Sequence, residues 1–311
     1  MTTPRSTSLR LGTRGSQLAL AQARWVKAAL EGAQSGLEVE LVVIKTSGDR
    51  IQDRSLSEVG GKGLFIKEIE EALLRREVDV AVHSMKDLPS ELAPGLEIAA
   101  VPEREDPGDV LIAPGRDSIA ALARGARVGT SSLRRMALLR AERPDLEVVP
   151  LRGNVDTRLR RLDEGVVDAI VLAAAGLRRL GLSPAAAVPL DVRRFVPAIG
   201  QGALAIEARV GEHREFFLRL DHAATHAAVA AERAFMRGVH GSCTTPLAAY
   251  ARAGAAGIEM NAVIASPDGA RAVRGSTAGE TAEAEHLGEG LARELMARGG
   301  AEILRALGAI P

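Results

Sequence analysis

Short apolar runs alternate with helix-patterned stretches from Leu9 to Leu172, and this alternation restricts the fold more than any other feature of the chain. Leu9-Arg10-Leu11 reads as a strand. The turn Gly12–Gly15 then leads to Ser16 as an N-cap, and Gln17–Glu31 carries Leu18, Ala21, Trp25, Ala28 and Ala29 at helical spacing. Val39–Ile44 is the next expected strand and Leu64–Arg76 an amphipathic helix. Val78–Val82 is a strand of buried type that delivers His83-Ser84-Met85-Lys86-Asp87 at its carboxyl end. Between them, Lys45–Gly63 is polar and Gly-rich, with the length of a lid loop. The alternation restarts at strand Val110–Ala113, with a short helix from Ser118 and strand Arg127–Gly129. A helix opening at Ser131-Ser132, strand Glu147–Leu151, a helix opening at Asn154 and strand Val167–Leu172 complete it. Strands linked through helices predict α/β lobes with parallel sheets covered on both faces.

The last third has a different rhythm. Helix Thr225–Gly238 precedes strands Leu247–Arg252, Ile258–Ile264 and Ala270–Gly275, and one more helix follows over Thr281–Arg298. That is a small sheet with a helix on one face, an α+β module. A chain of 311 residues has room for two or three such domains.

In parallel α/β sheets, ligands bind beyond the carboxyl ends of strands and beside helix N-termini. Cations recur at those places here. Arg14 follows the first strand, just ahead of Ser16. Thr130-Ser131-Ser132-Leu133-Arg134-Arg135 places three hydroxyls and two guanidiniums at one strand-to-helix turn. Arg152-Gly153-Asn154 repeats the arrangement with Arg158 one turn on, and Arg178-Arg179 follow the next strand. Guanidinium binds carboxylate through paired hydrogen bonds, so such sites suit a polycarboxylate; a phosphate-rich ligand is the competing case. Gly60-Gly61-Lys62-Gly63 has neither the spacing nor the Ser/Thr of a phosphate loop.

Asp87, preceded by Lys86, is either an ionised carboxylate that stabilises positive charge and moves protons, or a cap or surface ion pair. His83 is either functional or a satisfied structural histidine. Cys243 is the single cysteine, so it forms no internal disulfide. It is either a small buried apolar residue or a lone nucleophile or attachment point. The six histidines show no metal-ligand spacing, and no metal is expected.

Composition narrows the partners. Net charge is zero and the chain has one Trp and one Tyr, which argues against a nucleic-acid binder. No apolar run approaches membrane-spanning length, and the first ten residues have no apolar core, so a cytoplasmic protein is expected. Of 40 cationic residues only five are Lys, and two of those, Lys62 and Lys86, fall in loop-like contexts.

Eight motifs in register carry a resemblance. They are Leu11-Gly-Thr-Arg-Gly-Ser-Gln-Leu-Ala-Leu-Ala-Gln22, Val59-Gly-Gly-Lys-Gly-Leu-Phe65, Ala81-Val-His-Ser-Met-Lys-Asp87 and Arg104-Glu-Asp-Pro107. Gly129-Thr-Ser-Ser-Leu-Arg-Arg135, Leu151-Arg-Gly-Asn-Val155, Ala198-Ile-Gly-Gln-Gly202 and Gly241-Ser-Cys243 follow in order. In order and spacing the chain resembles the hydroxymethylbilane synthase (porphobilinogen deaminase) family from about residue 9 onward. The resemblance implies a transferase of tetrapyrrole and heme biosynthesis that joins four porphobilinogen molecules head to tail, releasing ammonia at each step, and then frees hydroxymethylbilane. It implies a dipyrromethane cofactor held by a thioether to Cys243. Asp87 matches the catalytic carboxylate, which handles protons and stabilises the azafulvene cation. Arg14, Ser16, Lys86, Arg134, Arg135, Arg152, Arg158 and Arg179 match residues that bind acetate and propionate groups of cofactor and substrate. Ser84, Thr130, Ser131, Ser132 and Gly153 match donors beside them, and Lys62 and Phe65 match the lid.

The implied fold is two doubly wound lobes like those of periplasmic binding proteins plus the small α+β domain. The implied domains are 5–103 with 199–222, then 104–198, then 223–311, with the chain a monomer. Two departures stand out: Ser242 where the family more often has Gly, and Gly108 where it has Arg. Two other classes share parts of this pattern. A non-catalytic binder of small anions needs neither Asp87 nor Cys243, and a cysteine acyl transferase lacks an established base beside the thiol.

Overall fold

The computed structural model describes residues 7–50, 66–242 and 245–310. Lys62, Phe65 and Cys243, singled out above, lie outside the described residues. The chain forms two compact units, Met1–Arg104 with Ala203–His226 and Glu105–Gly202 with Ala227–Pro311. In chain order the strands are β1 (Thr7–Thr13), β2 (Leu37–Val43), β3 (Val80–Ser84), β4 (Leu96–Ala100), β5 (Asp109–Ile112), β6 (Arg127–Gly129), β7 (Glu147–Val149), β8 (Ala169–Ala173), β9 (Ala187–Pro189), β10 (Leu204–Arg209), β11 (Leu247–Gly254), β12 (Gly257–Ala265) and β13 (Ala272–Gly279).

The first unit is built on a sheet of order β2-β1-β3-β10-β4. β1 runs parallel to β2 and β3, while β10 is antiparallel to β3 and β4. One face packs Leu9, Leu11, Val80, Val82 and Ile206 against Val26 and Leu30 of helix Gln17–Ala33. The other packs Val78 and Ala81 against Ile69 and Leu73 of helix Lys67–Leu74. A sheet apolar on both faces needs helices on both, which is the doubly wound arrangement the alternation predicts. The first helix corrects the reading of its face. Its buried positions are Gln22, Ala23, Val26 and Leu30, whereas Trp25 is half exposed. An alanine-rich helix gives a weak apolar stripe, and here a polar glutamine occupies the inner face.

The second unit repeats the topology in the order β7-β6-β8-β5-β9, with β6 parallel to its neighbours and β5 antiparallel to both of its own. The helix expected from Ser118 is instead a run of turns. Ser118 Oγ accepts the Ala121 N–H at 3.2 Å, a local bond that competes with helix propagation, and Gly125 at φ +72° ends the segment.

The same unit holds a second sheet, β11-β12-β13, antiparallel throughout. Phe235 and Val239, from helix Ala223–Gly238 and its end, meet Met260 and Ile264 of the sheet and Leu291 and Leu295 of helix Ala284–Leu295. The two helices approach closely at glycine: a Cβ on Gly288 would lie 2.1 Å from the Ala231 carbonyl oxygen. Gly288→Ala should therefore lower stability by about 1–3 kcal/mol, read as a fall in Tm with the cofactor content of the surviving folded protein unchanged. The α/β lobes and the small α+β sheet expected from the sequence are both present. Among the described residues no helix is long and apolar enough to cross a membrane.

Candidate functional site

In the first unit, two adjacent strand ends build one cavity. Beyond β1 the chain places Arg14 and then Ser16, whose Oγ accepts the Ala19 N–H at 3.2 Å and caps helix Gln17–Ala33. Beyond β3, Met85 is buried and its N–H donates to the Ala203 carbonyl at 3.0 Å. Leu88 N–H returns to the Met85 carbonyl at 3.1 Å, closing a single turn that holds Asp87 at the surface. Arg14, Ser16, Gln22, His83, Ser84 and Asp87 line the resulting cavity together with the apolar Leu18, Ile66 and Val82. Asp87 is exposed and has no hydrogen bond or ion pair among the described residues, so neither the capping nor the ion-pair reading applies to it there.

Two supports of this cavity were not legible as such. Gln22 Nε2 donates to Ser84 Oγ at 2.9 Å, which fixes the hydroxyl in the wall and explains the polar residue on a buried helix face. His83 Nε2 lies 2.9 Å from Glu207 Oε2, and both side chains are buried. Behind them, burial pushes the Glu70 carboxyl above its usual range; the Glu207 charge adds to this, and the Ala93 N–H and His83 oppose it.

In the second unit, the end of β6 gives three ordered hydroxyls. Thr130 Oγ1 accepts the Ser132 N–H at 3.2 Å, and Ser131 Oγ donates to the Leu151 carbonyl at 3.0 Å. Ser132 Oγ takes the Arg135 N–H at 3.5 Å as the cap of helix Leu133–Glu142. The two arginines then turn inward, where both are buried beside Asp109. Arg135 Nη2 and Nε donate to Asp109 Oδ1 at 2.6 and 3.2 Å, and Arg134 Nη1 sits 2.7 Å from Oδ2. Burial alone would raise the Asp109 carboxyl, but the charges and hydrogen bonds of Arg134 and Arg135 hold it well below the usual carboxylate range. Burial pulls the Arg134 guanidinium down, Asp109 opposes that, and Arg135 adds to it.

Further along, Gly153 adopts φ +106°, where an added Cβ would meet Thr157 at 2.8 Å, so the turn before helix Val155–Asp163 requires glycine. Arg158 Nε donates to the Gly153 carbonyl at 2.8 Å, and its guanidinium is lowered to about 10 by burial and by the Arg135 and Arg152 charges. Arg179 Nη2 donates to the Gly202 carbonyl at 2.6 Å and is also lowered to about 10 by burial, against Glu105, which raises it. Its neighbour Arg178 is exposed and pairs with Glu105 and Asp106 at 2.8 and 2.9 Å.

The structure thus groups Arg14, Ser16, Ser84 and Asp87 within one unit, and Thr130, Ser131, Ser132, Arg134, Arg135, Arg152, Gly153 and Arg158 at strand ends of the other. Asp109 and Gln201 belong to the second set and were missed. The available signal was an acid opening the apolar run Asp109-Val-Leu-Ile, where a buried carboxylate needs buried partners. Guanidiniums that burial makes harder to keep charged regain stability from an anion. In addition, the buried Nε of Arg134 has no hydrogen-bond partner among the described residues. A ligand bearing several carboxylates fits both observations.

Comparison with known proteins agrees with this chemistry. The family model described as "Porphobilinogen deaminase, dipyromethane cofactor binding domain" matches residues 9–215, and "Porphobilinogen deaminase, C-terminal domain" matches 226–297. The porphobilinogen deaminase of Syntrophotalea carbinolica is 52% identical over 308 residues, covering 98% of each chain. That of Geobacter sulfurreducens is 51% identical over 298 residues, covering 95% of this chain and 93% of its own. That of Sorangium cellulosum is 52% identical over 295 residues, covering 93% and 98%. Among solved structures, the methionine-binding protein MetQ aligns over 68% of this chain and 89% of its own at 16% identity and TM-score 0.44, too loosely to bear on function. The cavity lined by Asp87, the cation-rich strand ends and kinship over nearly the whole length lead to one conclusion: the chain belongs to the porphobilinogen deaminase family.

Proposed function

We propose that this chain condenses four porphobilinogen molecules head to tail, releases one ammonia per step, and frees hydroxymethylbilane by hydrolysis. The observation that supports the reading is the pair of buried guanidiniums, Arg134 and Arg135, that share the carboxylate of Asp109, with the largely buried Arg158 close enough to feel the Arg135 charge. A linear oligopyrrole bears two carboxylates per ring, which is the anion such a cluster requires.

The residues divide by task. Thr130, Ser131, Ser132, Arg134, Arg135, Arg152, Gly153 and Arg158, with Lys86 and Ser84, would hold the dipyrromethane through its acetate and propionate groups, and Cys243 would anchor it as a thioether. When bound, the group supplies the pyrrole carbon to which the first substrate is joined. Arg14 and Ser16, with Arg152, Arg158 and Arg179, bind the carboxylates of the incoming substrate. Helix Gln17–Ala33 adds its N-terminal dipole beside Arg14. Asp87, which makes no hydrogen bond or ion pair among the described residues, presents its carboxylate to the cavity. It stabilises the positive charge that develops on the substrate as ammonia leaves, and accepts a proton when the pyrrole regains aromaticity. Lys62 and Phe65 belong to a lid in this reading. The protein acts as a cytoplasmic monomer with domains 5–103 plus 199–222, 104–198 and 223–311.

Purified protein given porphobilinogen should release four ammonia molecules per linear tetrapyrrole. Saturable porphobilinogen binding with no ammonia released would instead indicate a non-catalytic anion binder. Arg134→Leu and Arg152→Leu each remove a charged partner of a carboxylate. Each should lower cofactor content, or raise KM by about 10–100-fold, in protein that still melts cooperatively. Normal cofactor content and normal KM in both variants would contradict the assignment of these arginines.

A further inference from the structure

Asp109 opens β5 with its side chain fully buried, and its two oxygens gather donors from two other segments of the chain. Oδ1 accepts from Arg135 Nη2 at 2.6 Å and Nε at 3.2 Å, and from Gln201 Nε2 at 2.9 Å. Oδ2 lies 2.7 Å from Arg134 Nη1. Gln201 is itself buried, and the same Nε2 reaches the Pro107 carbonyl at 2.7 Å.

Three physical consequences follow. Arg134 and Arg135 are adjacent in sequence and buried side by side, an arrangement that repulsion would break without a shared counter-ion. Their orientation is then fixed from both sides, because Arg135 Nη1 also donates to the Val171 carbonyl and Arg134 Nη1 to the Val196 carbonyl, each at 2.9 Å. Finally, one carboxylate against two guanidiniums leaves the buried cluster one positive charge in surplus, with the Arg134 Nε still unpaired among the described residues.

We propose that Asp109 is a positioning residue for ligand binding: it acts through Arg134 and Arg135, fixing both guanidiniums while leaving one net positive charge for a ligand carboxylate. Gln201 supplies a neutral third donor to Asp109 Oδ1 without cancelling its charge. The inference rests on the function proposed above, since that reading supplies the polycarboxylate ligand.

A double-mutant cycle tests it, with Asp109→Asn and Arg135→Gln made singly and together in the full-length protein. The readouts are the holoenzyme fraction by intact mass, KM and kcat of the holo molecules, and Tm. Asp109→Asn should raise KM roughly 10-fold or more and lower the holo fraction, with kcat of the holo molecules within about threefold of wild type. In the Arg135→Gln background the same substitution should cost less than about threefold further, because its target is already gone. Effects that multiply across the cycle, or a folded Asp109→Asn protein with normal KM and holo fraction, would overturn the positioning role. If Asp109→Asn does not fold, Gln201→Met leaves both arginines on Asp109 and removes its third donor together with the bond to the Pro107 carbonyl. It should raise KM by a fewfold in protein that still melts cooperatively, and an unchanged KM there overturns the proposal. Calorimetric binding of mellitate, a pyrrole-free polycarboxylate, to cofactor-free wild type, Asp109→Asn and Gln201→Met keeps the two readings apart. Weaker binding by the variants supports Asp109 even if wild type released no ammonia, and equal binding overturns it even if wild type turned over normally.

Discussion

Asp87→Asn should fold, carry its cofactor and turn over about 100- to 10,000-fold more slowly than the wild type. The size follows from what the substitution removes. Asp87 makes no hydrogen bond or ion pair among the described residues, so its loss leaves no buried partner stranded and costs little stability. It does remove the carboxylate of Asp87 from the cavity in which, on the proposed mechanism, positive charge develops. An amide of the same shape neither balances that charge nor takes a proton. Because binding of acetate and propionate groups is assigned to arginines and hydroxyls, KM should move far less than kcat. Single-turnover release of ammonia measures this directly, and near wild-type rates would remove Asp87 from the chemistry.

The second large effect is expected at Cys243. Cys243→Ala should leave a folded protein with no attached pyrroles and no detectable production of tetrapyrrole. The arginine cluster would still recruit carboxylates, but nothing would keep the growing chain on the protein between steps. Tethering turns each addition into an intramolecular event, and well-oriented tethers are worth effective concentrations of about 10⁵ M or more. Removing the anchor therefore costs more than removing any one binding contact. Tetrapyrrole formation by the alanine variant at a wild-type rate would show that the thiol is not the anchor.

How much of this was legible in the sequence depended on distance along the chain. Local signals read well: Ser16 and Ser132 cap the helices they precede, and strand-end cations sit beyond β1, β6 and β8 as the alternation predicts. Long-range pairings were hidden. β10 was not anticipated because Glu207 and Arg209 interrupt its apolar pattern, yet all six of its residues are buried. Their partners within the sheet and its flanking turn, His83 for one and the Leu73 and Val78 carbonyls for the other, lie more than a hundred residues upstream, although Arg209 also pairs with the nearby Glu212. Asp109 was hidden in the same way, its donors being Arg134, Arg135 and Gln201. β9 ends in a proline and spans three residues, too short to register as a strand. A charged residue inside an apolar run signals that a partner exists, but only the folded sheet identifies it.

The lone thiol and the guanidinium cluster meet in a single measurement, the intact mass of gently purified protein followed by that of the peptide containing Cys243. An addition equal to two porphobilinogens less two ammonias is expected, located on Cys243 and giving a colour reaction with Ehrlich's reagent. An unmodified Cys243 in protein with full deaminase activity would contradict it.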